Sequence, residues 1–182
     1  METVLDRLWT TDSFLAWEDR QEGKYEFDGR EILPMTGGTY AHQRIVINLW
    51  LTLTGLLGDD PRRVAQEMRL GIGNRVRYPD VLISTAPLDQ TTRTLTDAVA
   101  IFEVLSADTA TTDRVEKLID YAGVPSLRTY VLLEQTLVGA TVLHREAGGD
   151  WMATALTSGS IGLPGLGVSL ALADVYRGLS FG

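Results

Sequence analysis

The chain has no cysteine and only two histidines, His42 and His144. Disulfide bonds and thiolate metal sites are therefore excluded, and two widely separated histidines cannot build a histidine-rich zinc site. No apolar run approaches the roughly 18 residues of a membrane helix, and the first residues lack the basic and apolar regions of a secretory signal. We therefore expect a protein without a membrane span, located in the cytoplasm.

Positive charge is also scarce. The 16 lysines and arginines are outnumbered by 24 acidic residues, which gives a net charge of −8. The overall field therefore provides little non-specific attraction to nucleic acid, although it leaves room for a local basic strip. One basic cluster could contact the phosphates of a DNA duplex. It consists of Arg62, Arg63, Arg69, Arg75 and Arg77.

Two widespread catalytic motifs are missing from the sequence. It has no Gly-x-Ser-x-Gly nucleophile elbow and no Gly-x₄-Gly-Lys-[Ser/Thr] phosphate-binding loop. The glycine-rich stretch 159–168 lacks the spacing of a nucleotide-binding turn, and we predict a loop or an edge strand there. The sequence therefore does not indicate a serine hydrolase of the elbow type or a P-loop nucleotide hydrolase.

The length of 182 residues and the hydrophobic content of 45% predict one globular domain spanning residues 1–182. Periodicity and turn signals predict helices at 11–19, 40–57, 110–122 and 171–179. Strands are predicted at 25–27, 30–35, 63–70, 78–83, 99–105, 130–133, 137–143 and 151–156. This order predicts an α/β (α+β) fold, in which helices flank a mixed central sheet, with an N-terminal hairpin and a C-terminal β extension.

Two acidic residues stand in otherwise apolar segments. Asp80 begins the run 80–83 after Pro79, and Glu103 lies inside the run 99–105. A carboxylate in a buried strand is costly unless a partner compensates it, and Mg²⁺ prefers one or two carboxylates plus water. The pair is therefore a candidate metal site. The alternatives are that Asp80 only caps a turn and that Glu103 points outward from a half-exposed strand.

Six segments that include these residues together resemble the Uma-two-type restriction endonuclease family of the PD-(D/E)XK nuclease superfamily. The segments occur in the order found in that family and extend over residues 10–178. Each segment alone is a weak indication, whereas all six in order are specific. They are Tyr25–Gly29, Ala41–Ile45, Tyr78–Val81, Phe102–Ser106, Asp113–Tyr121 and Ala122–Pro125.

The resemblance implies a restriction-endonuclease-like core and an endonuclease that hydrolyses DNA phosphodiester bonds with Mg²⁺ (or Mn²⁺). It also implies that Asp80, Glu103 and the backbone carbonyl of Val104 bind the metal ion. The superfamily motif places a lysine two residues after the second acid, but this chain has Leu105 there. In this family the lysine comes from the following helix, which implies Lys117 as the catalytic lysine.

Three further residues have competing interpretations. Lys117 lies nearly opposite Val115 on its helix, so periodicity alone predicts that Lys117 faces solvent. Glu26 resembles an acidic residue that could hold a metal-bound water or a second ion, or it could pair across its hairpin. His42 could contact the scissile phosphate or a metal-bound water, or it could be a hydrogen-bonded structural residue.

The resemblance also implies a second copy of the chain as a partner, and two alternative functions remain. Cutting both strands of DNA often requires two copies, which implies a C2 homodimer, and the helix 40–57 with Trp50 could supply part of the interface. The main alternative is a catalytically inactive binding or assembly module, which the absence of lysine at position 105 and the negative net charge favour. A third possibility is an enzyme for a different phosphate ester.

Overall fold

The computed structural model describes residues 9–35, 37–58, 60, 63–105 and 111–181, with residues 111–114 described by their backbone alone. The helices among them are α1 (Thr11–Glu18), α2 (Tyr40–Leu56), α3 (Thr111–Ala122) and α4 (Leu172–Val175). The strands are β1 (Tyr25–Phe27), β2 (Ile32–Pro34), β3 (Val64–Gln66), β4 (Arg69–Ile72), β5 (Arg75–Arg77), β6 (Val81–Ile83), β7 (Thr94–Leu95), β8 (Ala100–Leu105), β9 (Thr129–Glu134), β10 (Ala140–Arg145), β11 (Trp151–Leu156), β12 (Ser160–Leu163) and β13 (Val168–Ala171). No helix in this part of the chain combines the length and apolar character needed to cross a membrane.

Most of the strands form two mixed sheets. The larger sheet has the order β11-β10-β9-β8-β6-β3. Within the described ranges its neighbouring strands are antiparallel except for β8 and β9, which are parallel. The second has the order β2-β1-β5-β4-β7, and β12 pairs with β13 in a separate hairpin. The predicted mixed α+β fold with flanking helices is therefore confirmed. The strands form two sheets where one central sheet was predicted, because the chain leaves the larger sheet after β3 and enters the second sheet with β4.

Local signals explain several of the predicted elements. Thr39 caps α2 by accepting a hydrogen bond from the backbone N–H of His42 at 3.2 Å. The β1–β2 hairpin turns at Asp28-Gly29, where Asp28 Oδ1 accepts N–H bonds from two residues of the turn at 2.7 Å. Gly29 has a φ of 93°, a conformation that favours glycine.

The hydrophobic core lies on both faces of the larger sheet. Every residue of β8 is buried, so its alternate side chains pack on opposite faces. On one face, Phe102 packs with Ile45 and Leu49 of α2. On the other, Ile101 packs in a cluster with Tyr121 of α3. A strand covered on both faces brings any polar side chain that it carries into the interior.

Four segments differ from the prediction. The predicted strand 63–70 is two strands in different sheets, because Glu67 between them has a φ of 45° that breaks the extended chain. The stretch 84–98, for which no strand is predicted, contains β7, which pairs with β4. The glycine-rich stretch 159–168 contains β12 and the start of β13, which pair as a hairpin. The closing helix is only α4, since Leu179 and Phe181 pack on the core outside any helix.

Asn48 joins α2 to the end of the chain. Its Nδ2 donates hydrogen bonds of 2.9 Å to the carbonyl oxygens of Val175 and Arg177. We expect Asn48→Ala to lower the free energy of unfolding by about 2–3 kcal/mol, because both bonds are lost and two carbonyls lose their partner. Urea denaturation measures this change, and Thr54→Ala on the exposed side of α2 serves as the control. Equal effects of the two substitutions would contradict the prediction.

Candidate active site

One cavity of about 300 Å³ is lined by all the residues that the sequence suggested for catalysis or metal binding. It lies between strands β8 and β9 of the larger sheet, the β1–β2 hairpin, the start of α2 and helix α3. Its wall includes Glu26, His42, Asp80, Glu103, Val104 and Lys117. Glu67, Tyr78 and Tyr130 also line it, although the sequence gave no reason to assign them to a site.

Strand register brings the two candidate metal ligands together. Val81 of β6 lies opposite Phe102 of β8 in an antiparallel pair, so Asp80 comes next to Glu103 on the neighbouring strand. Asp80 Oδ2 accepts the backbone N–H of Val104 at 2.7 Å. The two carboxylates therefore face the same cavity, whereas the alternative that Asp80 only caps a turn does not account for this cross-strand bond.

Glu103 is a buried carboxylate with two side-chain partners. Its side chain is only 10% exposed, which is not the outward orientation considered as the alternative. Its Oε1 accepts a hydrogen bond from the Tyr121 hydroxyl at 2.6 Å and lies 3.5 Å from Lys117 Nζ. Burial raises the pKa of Glu103 to about 7, with Lys117 opposing the shift and Asp80 and Glu26 adding to it.

Helix α3 packs with a face that its hydrophobic pattern does not predict. Val115 and Ile119 lie four positions apart and so form part of an apolar stripe on the helix, yet they are 51% and 62% exposed. Asp120 and Tyr121 are buried instead, and the Lys117 side chain is only 18% exposed. The prediction from periodicity that Lys117 faces solvent is therefore wrong, because buried ionic and hydrogen-bonding partners fix the rotation of the helix.

Glu26 is buried and bonded on both carboxylate oxygens. Its Oε2 lies 3.0 Å from Arg77 Nη1, while its Oε1 accepts the backbone N–H of Tyr78 at 3.1 Å. The same Oε1 lies 3.6 Å from Lys117 Nζ. Across the hairpin Glu26 stands opposite Leu33, so a pair across the two strands does not explain its position.

His42 reaches the cavity from the first turn of α2. Its Nε2 lies 3.3 Å from Asp80 Oδ1, and this hydrogen bond raises the pKa of His42 even though burial opposes the shift. Gly38 leaves room for the ring, since a Cβ at that position would lie 2.6 Å from His42 Cδ2. His42 is thus coupled directly to the candidate metal ligand.

The basic cluster suggested for DNA binding is mostly occupied inside the protein. Arg69 pairs with Glu18 at 2.9 Å, Arg77 is completely buried, and Arg75 contacts Asp120. Arg63 Nε donates to the carbonyl of Ser84, and Arg62 lies outside the described residues. The interpretation of Arg69 and Arg77 as phosphate contacts is therefore wrong, because carboxylates from other elements compensate their charges.

The fold itself is similar to that of a solved protein. That structure is described as "a putative nuclease belonging to DUF820" from Anabaena variabilis, and the TM-score is 0.75 over 92% of this chain and 97% of the other. The sequences are 14% identical, so this likeness concerns the architecture. The two proteins thus share an α+β architecture in which helices flank a mixed sheet.

Sequence comparison then gives the family. The Uma2 family, described as "Putative restriction endonuclease", matches residues 11–173, and the chain belongs to this family. It is 33% identical over 175 residues to the uncharacterized protein slr1290 of Synechocystis sp., covering 93% of this chain and 92% of the relative. A second uncharacterized Synechocystis protein, sll1609, is 31% identical over 86% of this chain and 92% of its own length.

Proposed function

We propose that this protein is a Mg²⁺-dependent endonuclease of the PD-(D/E)XK superfamily that hydrolyses DNA phosphodiester bonds. The observation that carries the proposal is the position of Lys117 Nζ, 3.5 Å from Glu103, in the cavity that also contains Asp80. The superfamily motif expects a lysine at position 105, and Lys117 supplies an ammonium group to the same acid from α3. The proposed enzyme is one domain spanning the chain and acts in the cytoplasm.

The donor groups fit a hard divalent cation. Asp80, Glu103 and the carbonyl of Val104 would hold Mg²⁺ (or Mn²⁺), with water as the remaining ligands. Among the described residues, no three His, Asp or Glu side chains form a metal-binding cluster, so the proposed site consists of two carboxylates and one backbone carbonyl. When bound, the ion would activate a water molecule and offset negative charge at phosphorus.

The chain's own residues would prepare the reaction. The ammonium of Lys117 is placed to stabilise negative charge that develops on the phosphoryl oxygens. Glu26 holds Lys117 from the other side, and His42 orients Asp80 through their 3.3 Å contact. His42 is also placed to contact the phosphate or a metal-bound water. Glu26 remains a candidate for holding a further water or ion.

Plasmid nicking tests this proposal. The purified chain is incubated with supercoiled DNA in the presence of Mg²⁺, Mn²⁺ or EDTA, and we expect nicked DNA only with a divalent ion. Tight DNA binding without cleavage would instead favour an inactive binding module. Neither cleavage nor binding would point to a protein partner or to another phosphate ester.

A second copy of the chain is the other proposed partner. The outer face of α2 exposes Ile47, Trp50 and Leu51, while its inner face packs on the core. These apolar residues recur at the spacing of one helical face, and two copies would bring two cavities to the two strands of DNA. The outer face of α2 is therefore the proposed surface of a C2 homodimer.

Leu51→Glu is expected to convert the proposed dimer into a monomer. Leu51 is 56% exposed, so the new charge would disturb the interface without entering the core. Size-exclusion chromatography with light scattering measures the mass, and Ile119→Glu on α3 is the control because its side chain is equally apolar and 62% exposed. A wild-type chain that is monomeric at high micromolar concentration would contradict the proposed interface.

A further inference from the structure

Arg77 is a fully buried arginine at the end of β5, outside the wall of the cavity. A guanidinium group in the interior is costly unless carboxylates compensate it with good geometry. Arg77 has two such partners: Nη1 lies 3.0 Å from Glu26 Oε2, and Nε donates to Asp120 Oδ2 at 2.8 Å. It therefore connects β1, β5 and α3 through one planar group.

The contact of Arg77 with Glu26 determines which carboxylate oxygen of Glu26 faces the cavity. Because Arg77 binds Oε2, the other oxygen, Oε1, points to the backbone N–H of Tyr78 and to Lys117 Nζ. Lys117 thus has Glu26 Oε1 on one side at 3.6 Å and Glu103 Oε1 on the other at 3.5 Å. The lysine is held between two carboxylates only while Glu26 keeps this orientation.

The contact with Asp120 determines the rotation of α3. Asp120 follows Lys117 by three positions and precedes Tyr121, so all three side chains lie on neighbouring parts of the helix surface. Binding Asp120 to Arg77 therefore turns Lys117 and Tyr121 towards Glu103, against the hydrophobic stripe of the helix. Arg75 contacts the second oxygen of Asp120 from the half-exposed side.

Charge balance gives Arg77 a second effect on Lys117. Without Arg77, the cations that the described residues place beside the buried carboxylates of Glu26 and Asp120 would be Lys117 and Arg75. Lys117 would then be attracted inward, away from Glu103. We infer that Arg77 is a positioning residue of the proposed nuclease, which acts through Glu26 and Asp120 to keep the Lys117 ammonium at Glu103.

Lysine-specific NMR measures this effect independently of activity, because Lys24 and Lys117 are the only lysines. Reductive methylation with ¹³C-formaldehyde gives one dimethyl-lysine signal for each, and Lys24→Arg assigns them. We expect Arg77→Met to shift the Lys117 signal at fixed pH and leave the Lys24 signal in place. Arg69→Met is the matched control, since Arg69 is also mostly buried and paired with two acids, but not with Glu26 or Asp120.

The second measurement is the single-turnover rate of DNA nicking by the unmethylated variants. This measurement rests on the proposed function. We expect Arg77→Met to lower the rate about 100-fold, the effect of misplacing a catalytic group by about 1 Å. Arg77→Met/Asp120→Asn should recover part of the rate and return the Lys117 signal towards its original position, because the second substitution removes the excess buried negative charge. Arg69→Met should leave the nicking rate and the Lys117 signal unchanged at temperatures where this variant is folded.

The two measurements separate the possible failures. If the wild-type chain does not cleave DNA, the proposed function fails, and the NMR shift alone decides the role of Arg77. An unshifted Lys117 signal in folded Arg77→Met overturns the inference whatever the rate. If Arg77→Met does not fold, Arg77→Gln replaces it, because a glutamine adds no further lysine signal and keeps a hydrogen-bond donor but cannot bridge both carboxylates. An unshifted Lys117 signal in that variant also overturns the inference.

Discussion

Asp80→Asn should abolish both divalent-ion binding and DNA nicking while leaving the fold intact. Asparagine keeps an oxygen that can accept the Val104 N–H bond seen at 2.7 Å, so the strand pairing is preserved. It removes the negative charge that a Mg²⁺ or Mn²⁺ ligand requires. We expect a loss of at least about 100-fold in ion affinity and nicking rate, because losing even an outer partner of a metal ligand costs about 10–100-fold.

Titration calorimetry with Mn²⁺ and plasmid nicking in Mg²⁺ measure these two losses. Asp89→Asn is the matched control, because Asp89 is an exposed aspartate in the loop before β7 and does not line the cavity. Nicking by Asp80→Asn at the wild-type rate would mean that a contaminant cuts the DNA or that the reaction does not involve this cavity. Unchanged Mn²⁺ affinity would separately contradict the proposed metal ligands.

Lys117→Met should separate metal binding from hydrolysis. Methionine fills a similar volume but carries no charge, so a group proposed to stabilise the reacting phosphate is lost, which costs about 10²–10³-fold in rate. Ion affinity should be maintained or increased, because the ammonium lies 3.5 Å from Glu103 and repels a cation bound there. Asp80→Asn and Lys117→Met should therefore both lower the nicking rate, but only Asp80→Asn should weaken Mn²⁺ binding.

Lys24→Met provides the control for Lys117→Met. Lys24 is the only other lysine, and it pairs with Glu67 at 2.7 Å in a position where its side chain is 48% exposed. An exposed pair of this kind contributes little free energy, so we expect stability and nicking to change only slightly. Equal losses of activity in the two lysine variants would show that Lys117 has no special role, and weakened Mn²⁺ binding in Lys117→Met would contradict the geometry proposed for Glu103.

The sequence predicts the architecture and the acidic pair for clear physical reasons. Carboxylates inside apolar runs are rare, so Asp80 and Glu103 stand out without any coordinates. Strand order then brings them together, because β6 and β8 are neighbours in the larger sheet. The family resemblance supplies the remaining candidates, including Lys117, whose place in the cavity periodicity alone would not have suggested.

The sequence could not predict features that depend on long-range pairing. Arg77 and Asp120 are 43 positions apart, and each alone resembles an ordinary surface charge. The break at Glu67 arises from a left-handed backbone conformation that a residue other than glycine rarely adopts. Short strands such as β7 are similarly difficult to identify, because a two-residue pairing leaves no periodic pattern.

The rotation of α3 about its axis, which exposes part of its apolar stripe, has a practical consequence for protein engineering. A designer who followed the helical wheel would keep Val115 and Ile119 as interior residues and replace Asp120 to improve packing. In this protein the first two positions can accept hydrophilic residues to improve solubility, whereas position 120 tolerates little change because Arg77 and Arg75 both bind its carboxylate. Sites for labels and surface tags on this helix are therefore Val115 and Ile119.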